Sequence, residues 1–403
     1  MSLELQKGNG VELKRRRQTF HAVNTGSYVS SSSSQVRIEV NVDKETLDFD
    51  TGYLMFDIEA TKAGTTDEIV SLPFEASAWI RDVRVFDKAG REIGEQMRQY
   101  NGMARKQMEL LGNDGANGAE NVIGRLEGAT ARTGTDQTTL PAIERAHKFI
   151  SHIFDIKSYF PAHLLGGLIV EIDMESVNNV YRLNGTTDTL TSYTLSNVRY
   201  VCDLVLLKSD AEASLRSQLP KGLEIHYDAP MNHSQAITTN TNQRFDLGIA
   251  NGSVKSIQAF QVIDTVRDGV NEDYWGSFAQ NALSSYRFRL GSEYLTEKDV
   301  QISATRQSEY LVEYLKSNNL DSMDFVHFYG DSGLDLTTRF VIGQKAEISK
   351  DPNVASGIRD FQSNKIELEL KYSTSPVSAT LYTNIMLDKV LVLKNNREFE
   401  NRS

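Results

Sequence analysis

The seven histidines are the first residues whose chemistry could mark a metal or acid–base site. A zinc site built on one helix uses two histidines four residues apart, because that spacing puts both rings on one face. No pair in this chain has that spacing, and His147 and His152 are five residues apart. The full set is His21, His147, His152, His163, His226, His233 and His327. We therefore expect ordinary surface or core histidines, with no metal and no cofactor.

Motifs of the common enzyme classes are also absent from the sequence. There is no G-x-S-x-G nucleophile elbow, no phosphate-binding P-loop and no G-x-G-x-x-G dinucleotide motif. The 54 acidic residues offer many carboxylate pairs of the kind that glycosidases use, but no spacing selects one of them. The sequence predicts a protein that is not an enzyme.

Cysteine chemistry is limited to one residue, Cys202. A single cysteine excludes an intramolecular disulfide and a cysteine-rich metal site. Because Val201 and Leu204 beside it are apolar, we expect a buried and unreactive thiol.

Four consecutive cations, Lys14, Arg15, Arg16 and Arg17, are the clearest charge feature. They lie in a polar segment, residues 1–34, that is net positive, whereas the whole chain has a formal net charge of −11. We expect an extended arm there, with at most a short helix around Val11 to Gln18. Cations on such an arm would gain from counterion release at phosphates or at an anionic lipid surface. A solvated tail and a nuclear import signal are the alternatives.

Two aromatic residues, Tyr274 and Trp275, lie in a polar segment rich in turn residues, so we consider them candidate anchors of a loop interface. Trp79 precedes an alternating strand and is expected in the core.

The elements that would position these residues are mostly strands. In the segment Asn364 to Ser373, apolar and charged residues alternate, which predicts a half-buried antiparallel strand. Gln35 to Val42 and Thr51 to Ala60 show the same alternation. No apolar run approaches the ~20 residues needed to cross a bilayer, and we expect no secretory signal.

Several features occur twice in the same order. Ala78 to Asn113 and Ser285 to Asn319 each predict a strand, a turn and then a helix. Each half also closes on a similar strand, CDLVLLK at 202–208 and DKVLVLK at 388–394. The chain is too long for one comfortable core, since single cores stop growing near ~250–300 residues. We infer two copies of one β-rich unit.

Each predicted unit has about eight short strands, long loops and one or two short helices. This profile is typical of a jelly roll, so the expected fold is all-β, with two tandem eight-stranded jelly rolls and a few short helices. The expected boundaries are a basic arm at 1–34, a first jelly roll at 35–208, a helix-prone connector at 209–221, a second jelly roll at 222–396 and a tail at 397–403.

The order of these elements resembles the double jelly-roll major capsid proteins of icosahedral double-stranded DNA viruses, as found in tectiviruses, virophages, polinton-like viruses and nucleo-cytoplasmic large DNA viruses. In the first half the resemblance lies in FEASAWIRDVRVFDKAGREIG with the helix at Tyr100, in HIFDIKSYFPAHLLGGLIVEIDM and in YTLSNVRYVCDLVLLK. In the second half it lies in IELELKYS and in VSATLYTNIMLDKVLVLKNNREF. Together these segments cover roughly residues 35–396.

The resemblance implies a structural protein of the virion, assembled inside the host cell. It implies homotrimers with a pseudo-sixfold outline that contact neighbouring trimers, penton proteins and minor capsid proteins. Loops would rise outward, with 113–139 and 264–283 as candidates, while the N-terminal arm would contact an internal membrane or the genome.

Two other functions remain open at this point. A carbohydrate-binding or glycoside-acting double sandwich would show a groove with exposed aromatics and convergent carboxylates. A trimeric attachment or tail protein would show shaft repeats, and the sequence contains none.

Overall fold

The structure, a computed structural model, describes most of the chain in segments. These are residues 11–23, 26–32, 34–63, 69–71, 76–94, 96–104, 132–133, 139–149, 152–156, 158–180, 182–184, 189–248, 253–267, 279–290, 293–303, 308–318, 340–347 and 365–402. They form two compact units, which divide between Ala229 and Pro230 and again between Asp388 and Lys389.

The strands of the first half form two principal antiparallel sheets. They are β1 (Glu12–His21), β2 (Ser27–Val29), β3 (Gln35–Val40), β4 (Thr46–Ala63), β5 (Ile69–Ser71), β6 (Ile80–Asp87), β7 (Arg132–Thr133), β8 (Thr139–His147), β9 (Leu168–Met174), β10 (Arg182–Asn184) and β11 (Thr189–Leu207). One sheet has the order β1-β11-β4-β8, with β2 also on β11, and the other has the order β3-β9-β6. A small third sheet joins β10, β5 and β7.

The second half repeats this arrangement. Its strands are β12 (Leu223–Ile237), β13 (Asn242–Asp246), β14 (Ser253–Ile263), β15 (Leu283–Leu290), β16 (Glu293–Tyr294), β17 (Val300–Gln301), β18 (Val341–Lys345), β19 (Ile366–Tyr372), β20 (Ala379–Leu393) and β21 (Phe399–Arg402). One sheet has the order β12-β20-β14-β18, with β21 also on β20, and the other has the order β13-β19-β15-β16, with β17 also on β15.

The two halves therefore have the same topology. In each, the first strand pairs with the long closing strand, β1 with β11 and β12 with β20, and strands that are neighbours in a sheet are far apart in the sequence, as in a jelly roll. The eighth strand is short in both. In the first half it is reduced to bridges that residues 92 and 97 make to β6, and in the second half it is β16 and β17 beside β15. The predicted double jelly roll is confirmed.

Alternation explains how each strand buries one side. In β19, Ile366, Leu368 and Leu370 are buried while Glu367 and Glu369 face outward. The long strands β11 and β20 are buried on both faces over most of their C-terminal residues. Each compact unit has its own cluster of buried side chains, one around Phe56 and Tyr200 and the other around Phe288 and Ile385.

The helices in the described part of the chain are short. They are α1 (Ser209–Gln218), α2 (Asp264–Arg267) and α3 (Ser308–Ser317), together with 3-10 helices at Ala76–Trp79, His152–Asp155, Ala162–Leu165, Val177–Asn179, Leu219–Lys221 and Asn395–Arg397. Residues 100–104 are also helical, where the first strand–turn–helix was predicted, and α3 is the second predicted helix. The predicted connector contains α1. Among the described residues, no helix is long and apolar enough to cross a membrane.

The largest correction concerns the N-terminal segment. We expected an extended arm with at most a short helix around Val11 to Gln18, but residues 12–21 form the ten-residue strand β1. It pairs in antiparallel register with β11 from Glu12–Leu207 to His21–Arg199. The reason is that an edge strand needs only backbone partners on one side and can keep charged side chains in solvent, so its sequence need not alternate.

Both expected outward loops fall largely outside the described residues. The first, 113–139, is described only at β7 and at the first residue of β8. The second, 264–283, is described at α2 and from residue 279 onward.

Candidate functional site

The basic tetrad lies on β1, at the edge of the first principal sheet. Successive side chains of a strand point to opposite faces, so Arg15 and Arg17 share one side while Lys14 and Arg16 share the other. Arg17 lies opposite Asp203 of β11 in the strand register. The register therefore places a carboxylate of the neighbouring strand beside the arginines of the tetrad.

Two of these carboxylates form a buried pair. Asp203 on β11 lies directly opposite Asp48 on β4, and the two residues are only 9% and 2% exposed. Like charges directly opposite each other destabilise a sheet, and buried charges need partners. The pair therefore requires a cation beside it.

Arg15 supplies that cation. Its Nη1 lies 2.8 Å from Asp48 Oδ2 and 3.4 Å from Asp203 Oδ2. Its Nη2 lies 3.0 Å from Glu12 Oε1. The hydrogen bond to Glu12, and after it the one to Asp48, raise the pKa of Arg15 above its usual value although burial acts in the opposite direction. Arg15 thus bridges β1, β4 and β11.

Tyr159 completes this cluster from the segment before β9. Its hydroxyl accepts a hydrogen bond from Arg15 Nη2 at 3.0 Å and donates one to the carboxylate of Glu12. Burial, with the hydrogen bond to Glu12, raises the pKa of Tyr159 to about 12. The phenol therefore stays neutral and holds Glu12 in place.

The other two arginines also have partners in this chain. Arg16 Nη2 lies 2.9 Å from Glu45 Oε1, and Arg17 Nε lies 3.2 Å from Asp203 Oδ1. Burial alone would raise the pKa of Glu45, but the hydrogen bonds from Arg16 and from the Lys44 amide lower it below its ordinary value. Lys14 is exposed. The premise of a free basic arm is therefore wrong, and the contact with polyanions stays a prediction.

Sequence analysis did not find Asp48, Asp203, Glu45 or Tyr159 as part of this site. Each is far from the tetrad along the chain. The strand register brings Asp48 and Asp203 beside it, and the bridge between Leu47 and Phe160 holds the segment of Tyr159 there. The one local signal is an aspartate within an otherwise apolar run, as in CDLVLLK, because an unpaired charge is costly there.

A second repeated feature lies on the outer face of the β3-β9-β6 sheet and of the β13-β19-β15-β16 sheet. In each half, a central glutamate is flanked in register by an arginine on both neighbouring strands. The two rows are Arg37–Glu171–Arg84 and Arg244–Glu369–Arg287. The closest nitrogen–oxygen distances to the central glutamates are 3.6, 3.7 and 3.8 Å for Arg37, Arg84 and Arg244. Cross-strand pairs of opposite charge contribute to the stability of a sheet. These rows therefore stabilise a face that carries charged side chains.

The histidines behave as core residues where they are buried. His147 is 1% exposed, and its Nε2 lies 2.7 Å from the hydroxyl of Tyr100. Burial lowers the pKa of His147 to about 3, so its ring is neutral at pH 7. His163 Nε2 lies 3.2 Å from Glu212 of α1, and burial lowers its pKa although Glu212 acts in the opposite direction. Within the described part of the chain, no group of three or more potential ligands is placed to hold a metal.

Two smaller predictions are confirmed, and a third falls outside the described residues. Cys202 is fully buried, and burial raises the pKa of its thiol to about 12, so it is unreactive as predicted. Trp79 is 1% exposed and contacts Tyr193 edge-on, with ring centroids 4.7 Å apart, which confirms a core position. Tyr274 and Trp275 lie outside the described residues, so their interface role stays a prediction.

Comparison with solved structures finds viral capsid proteins over nearly the whole chain. The PBCV-1 protein VP54, from a crystal structure fitted into a reconstruction of the virophage Sputnik, is 12% identical with a TM-score of 0.62, and 97% of each chain is covered. The Faustovirus major capsid protein is 8% identical with a TM-score of 0.64, covering 94% of this chain and 90% of its own. A Sputnik virophage structure is 12% identical with a TM-score of 0.59, covering 97% and 89%.

At these identities the likeness shows a shared fold, and that fold is the double jelly roll. No protein-family model matches the sequence, and no curated protein matches it.

Proposed function

We propose that this chain is a major capsid protein that builds an icosahedral virion shell from pseudo-hexameric trimers. The observation that supports this most directly is the repetition of one jelly-roll topology within a single chain. Three such chains around a threefold axis present six similar units, and a six-unit outline can tile a shell hexagonally.

The similar solved structures support the same proposal. Their titles name the PBCV-1 capsid, the Sputnik virophage and a Faustovirus major capsid protein, and the alignments extend over nearly the full length of both partners. A structural role without catalysis follows from this proposal. A carbohydrate-binding double sandwich, the alternative from sequence, has no support among these structures.

The expected binding partners follow from the geometry of such a shell. We expect each trimer to contact neighbouring trimers, and penton and minor capsid proteins to fill the remaining positions. A contact of Lys14, Arg15, Arg16 and Arg17 with an internal membrane or the genome would have to compete with Glu12, Glu45, Asp48 and Asp203, which already pair with the three arginines.

The proposal is tested by measuring the mass of the purified chain over a wide concentration range, followed by negative-stain imaging. We expect three chain masses by light scattering and particles with a hexagonal outline. A protein that remains monomeric at high concentration and forms no such particles would contradict the proposal.

A further inference from the structure

The first compact unit contains a segment that lies beyond the second unit in the sequence. Residues 389–402, which we call the return segment, belong to the first unit, although the residues just before them, 230–388, belong to the second. The return segment consists of the end of β20, a turn at Asn395–Arg397 and the strand β21. Strand β21 folds back on the end of β20 and pairs with it in antiparallel register. The first unit is therefore built from two separate parts of the chain.

Side chains of the return segment form part of the buried cluster of the first unit. Leu391 and Leu393 are 0% and 1% exposed and belong to that cluster, and the partly buried Phe399 packs against it. Removing a buried leucine side chain from a core costs its transfer from water and also leaves a cavity. The core of the first unit is therefore incomplete until the return segment has docked.

Arg91, in the turn after β6, connects the return segment to the rest of the first unit. Its guanidinium makes two hydrogen bonds to Asp87 Oδ2, at 2.9 Å from Nε and 2.6 Å from Nη2. Because Asp87 is only 1% exposed, this pair fixes the orientation of the guanidinium. The same group donates from Nη2 to the Arg397 carbonyl and lies over the Phe399 ring, with Cζ 4.7 Å from the ring centroid. Arg91 therefore holds both the turn and the first residue of β21.

The turn of the return segment has a backbone conformation that its contacts must maintain. Arg397 has a positive φ of 63°, which is uncommon for a residue other than glycine. The Arg397 guanidinium packs beside Gly166, because a Cβ placed on that glycine would lie 3.0 Å from Arg397 Nη1. The Lys394 amide donates to the Glu398 carbonyl at 2.8 Å and closes the turn. Since such a conformation persists only where the surroundings over-determine it, the turn depends on its contacts with the first unit.

The position of the return segment in the sequence imposes an order on folding. Most of the first unit, up to Ala229, is synthesised before the second unit, whereas the return segment is synthesised after it. Domains generally fold as units, with the N-terminal one first during synthesis. A first unit without the return segment lacks two buried leucines and the contacts of Arg91, so it should open more readily than the complete unit.

We propose that the return segment is a conformational latch for the first unit. The unit opens when the segment undocks, and it reaches its native stability only after residues from beyond the second unit have docked on it. This inference goes beyond the proposed function and does not depend on it, because it concerns how one unit of the chain becomes stable.

The test follows hydrogen exchange strand by strand in the full chain, by mass spectrometry, in the wild type and in Phe399→Ala. This substitution removes the ring that lies over Arg91 and its packing against the cluster. We expect exchange in β6 and β9 to become about tenfold faster or more, because β6 leads to Arg91 and β9 follows Gly166. Strands β15 and β19 lie in the second unit and should exchange as in the wild type.

Glu398→Ala is the matched control, because Glu398 is the exposed neighbour of Phe399, and it should exchange as the wild type in both units. Leu391→Ala is a second and more severe variant, since Leu391 is fully buried, and it should accelerate exchange in β6 and β9 further. Unchanged exchange in β6 and β9 in both variants, or an equal increase in β15 and β19, would overturn the proposal. The proposed function stands in either case, because the mass of the assembled chain tests it separately.

Discussion

Arg15 contacts both carboxylates of the buried aspartate pair. We expect Arg15→Met to lower the free energy of unfolding by about 1–3 kcal/mol, because the opposed carboxylates of Asp48 and Asp203 lose the cation that contacts both of them and keep Arg17 beside Asp203. The loss stays below that for a fully buried pair because the Arg15 side chain is 35% exposed. Urea unfolding at pH 7 and low salt measures it.

The matched control for that prediction is Arg16→Met. Arg16 pairs with Glu45 from a side chain that is 45% exposed, so we expect a loss of at most about 1 kcal/mol. Adding Asp48→Asn to Arg15→Met should restore part of the lost stability, since one of the two like charges is then gone. Equal losses for Arg15→Met and Arg16→Met would show that the aspartate pair does not need Arg15.

His147 makes stability depend on pH in a defined direction. Burial lowers its pKa from 6.5 to about 3, so between these values the unfolded chain binds a proton that the folded chain does not. The contribution of neutral His147 to the free energy of unfolding is therefore fully present above pH 6.5. It falls by up to about 1.4 kcal/mol per pH unit as the pH drops toward 3.

The variant that tests this is His147→Gln, which stays neutral and can still accept a hydrogen bond from Tyr100. Its unfolding free energy should vary less than that of the wild type between pH 6.5 and 4, by denaturant titration at several pH values. His21→Gln, at an exposed position of β1, should keep the wild-type dependence. A His147→Gln profile parallel to the wild type would contradict the assignment.

The helix α3 can approach the strand β18 closely because residue 343 is a glycine. A Cβ placed on Gly343 would lie 2.3 Å from Ser317 Oγ and 3.1 Å from the Tyr314 Cα, both in α3. Gly343→Ala should therefore displace the helix and cost about 1–3 kcal/mol of stability, as overpacking does. Thermal unfolding measures the loss.

Gly26→Ala is the control for that change, because nothing lies within 4 Å of its added Cβ, and we expect it to be nearly neutral. Ser317→Ala in the Gly343→Ala background removes the nearest clashing oxygen and should recover part of the stability. If Gly343→Ala is as harmless as Gly26→Ala, the helix does not need this close approach.

The chain has two separate clusters of buried side chains, so a substitution in one cluster should destabilise mainly the unit that contains it. Phe56 belongs to the first cluster and Phe288 to the second, and both are fully buried. Phe56→Ala and Phe288→Ala should each cost about 3–5 kcal/mol. Calorimetry should show two transitions, with each substitution lowering a different one.

Leu13→Ala, at a 64% exposed position, is the control and should leave both transitions in place. A single transition that both phenylalanine variants lower equally would mean that the units unfold together. The result also bears on assembly, because a chain whose halves fold separately can lose one half without losing the other.

The sequence alone was enough to predict those strands whose local pattern of apolar and charged residues defines a strand. In β19, alternation of apolar and charged residues is enough to define a strand and its inward side, since side chains on a strand alternate between faces. The motifs CDLVLLK and DKVLVLK mark β11 and β20 because both strands are buried, and their recurrence together with the repeated strand–turn–helix predicted the duplication.

The tertiary structure alone decided what β1 is and what its charges do. Four consecutive cations have no alternation, so local pattern could not distinguish an edge strand from a free arm. The distinction depends on Asp48 and Asp203, which are 33 and 188 residues from Arg15 and come beside it only through strand register. The Arg–Glu–Arg rows arise in the same way, because charge balance on a surface depends on which distant segments become neighbours.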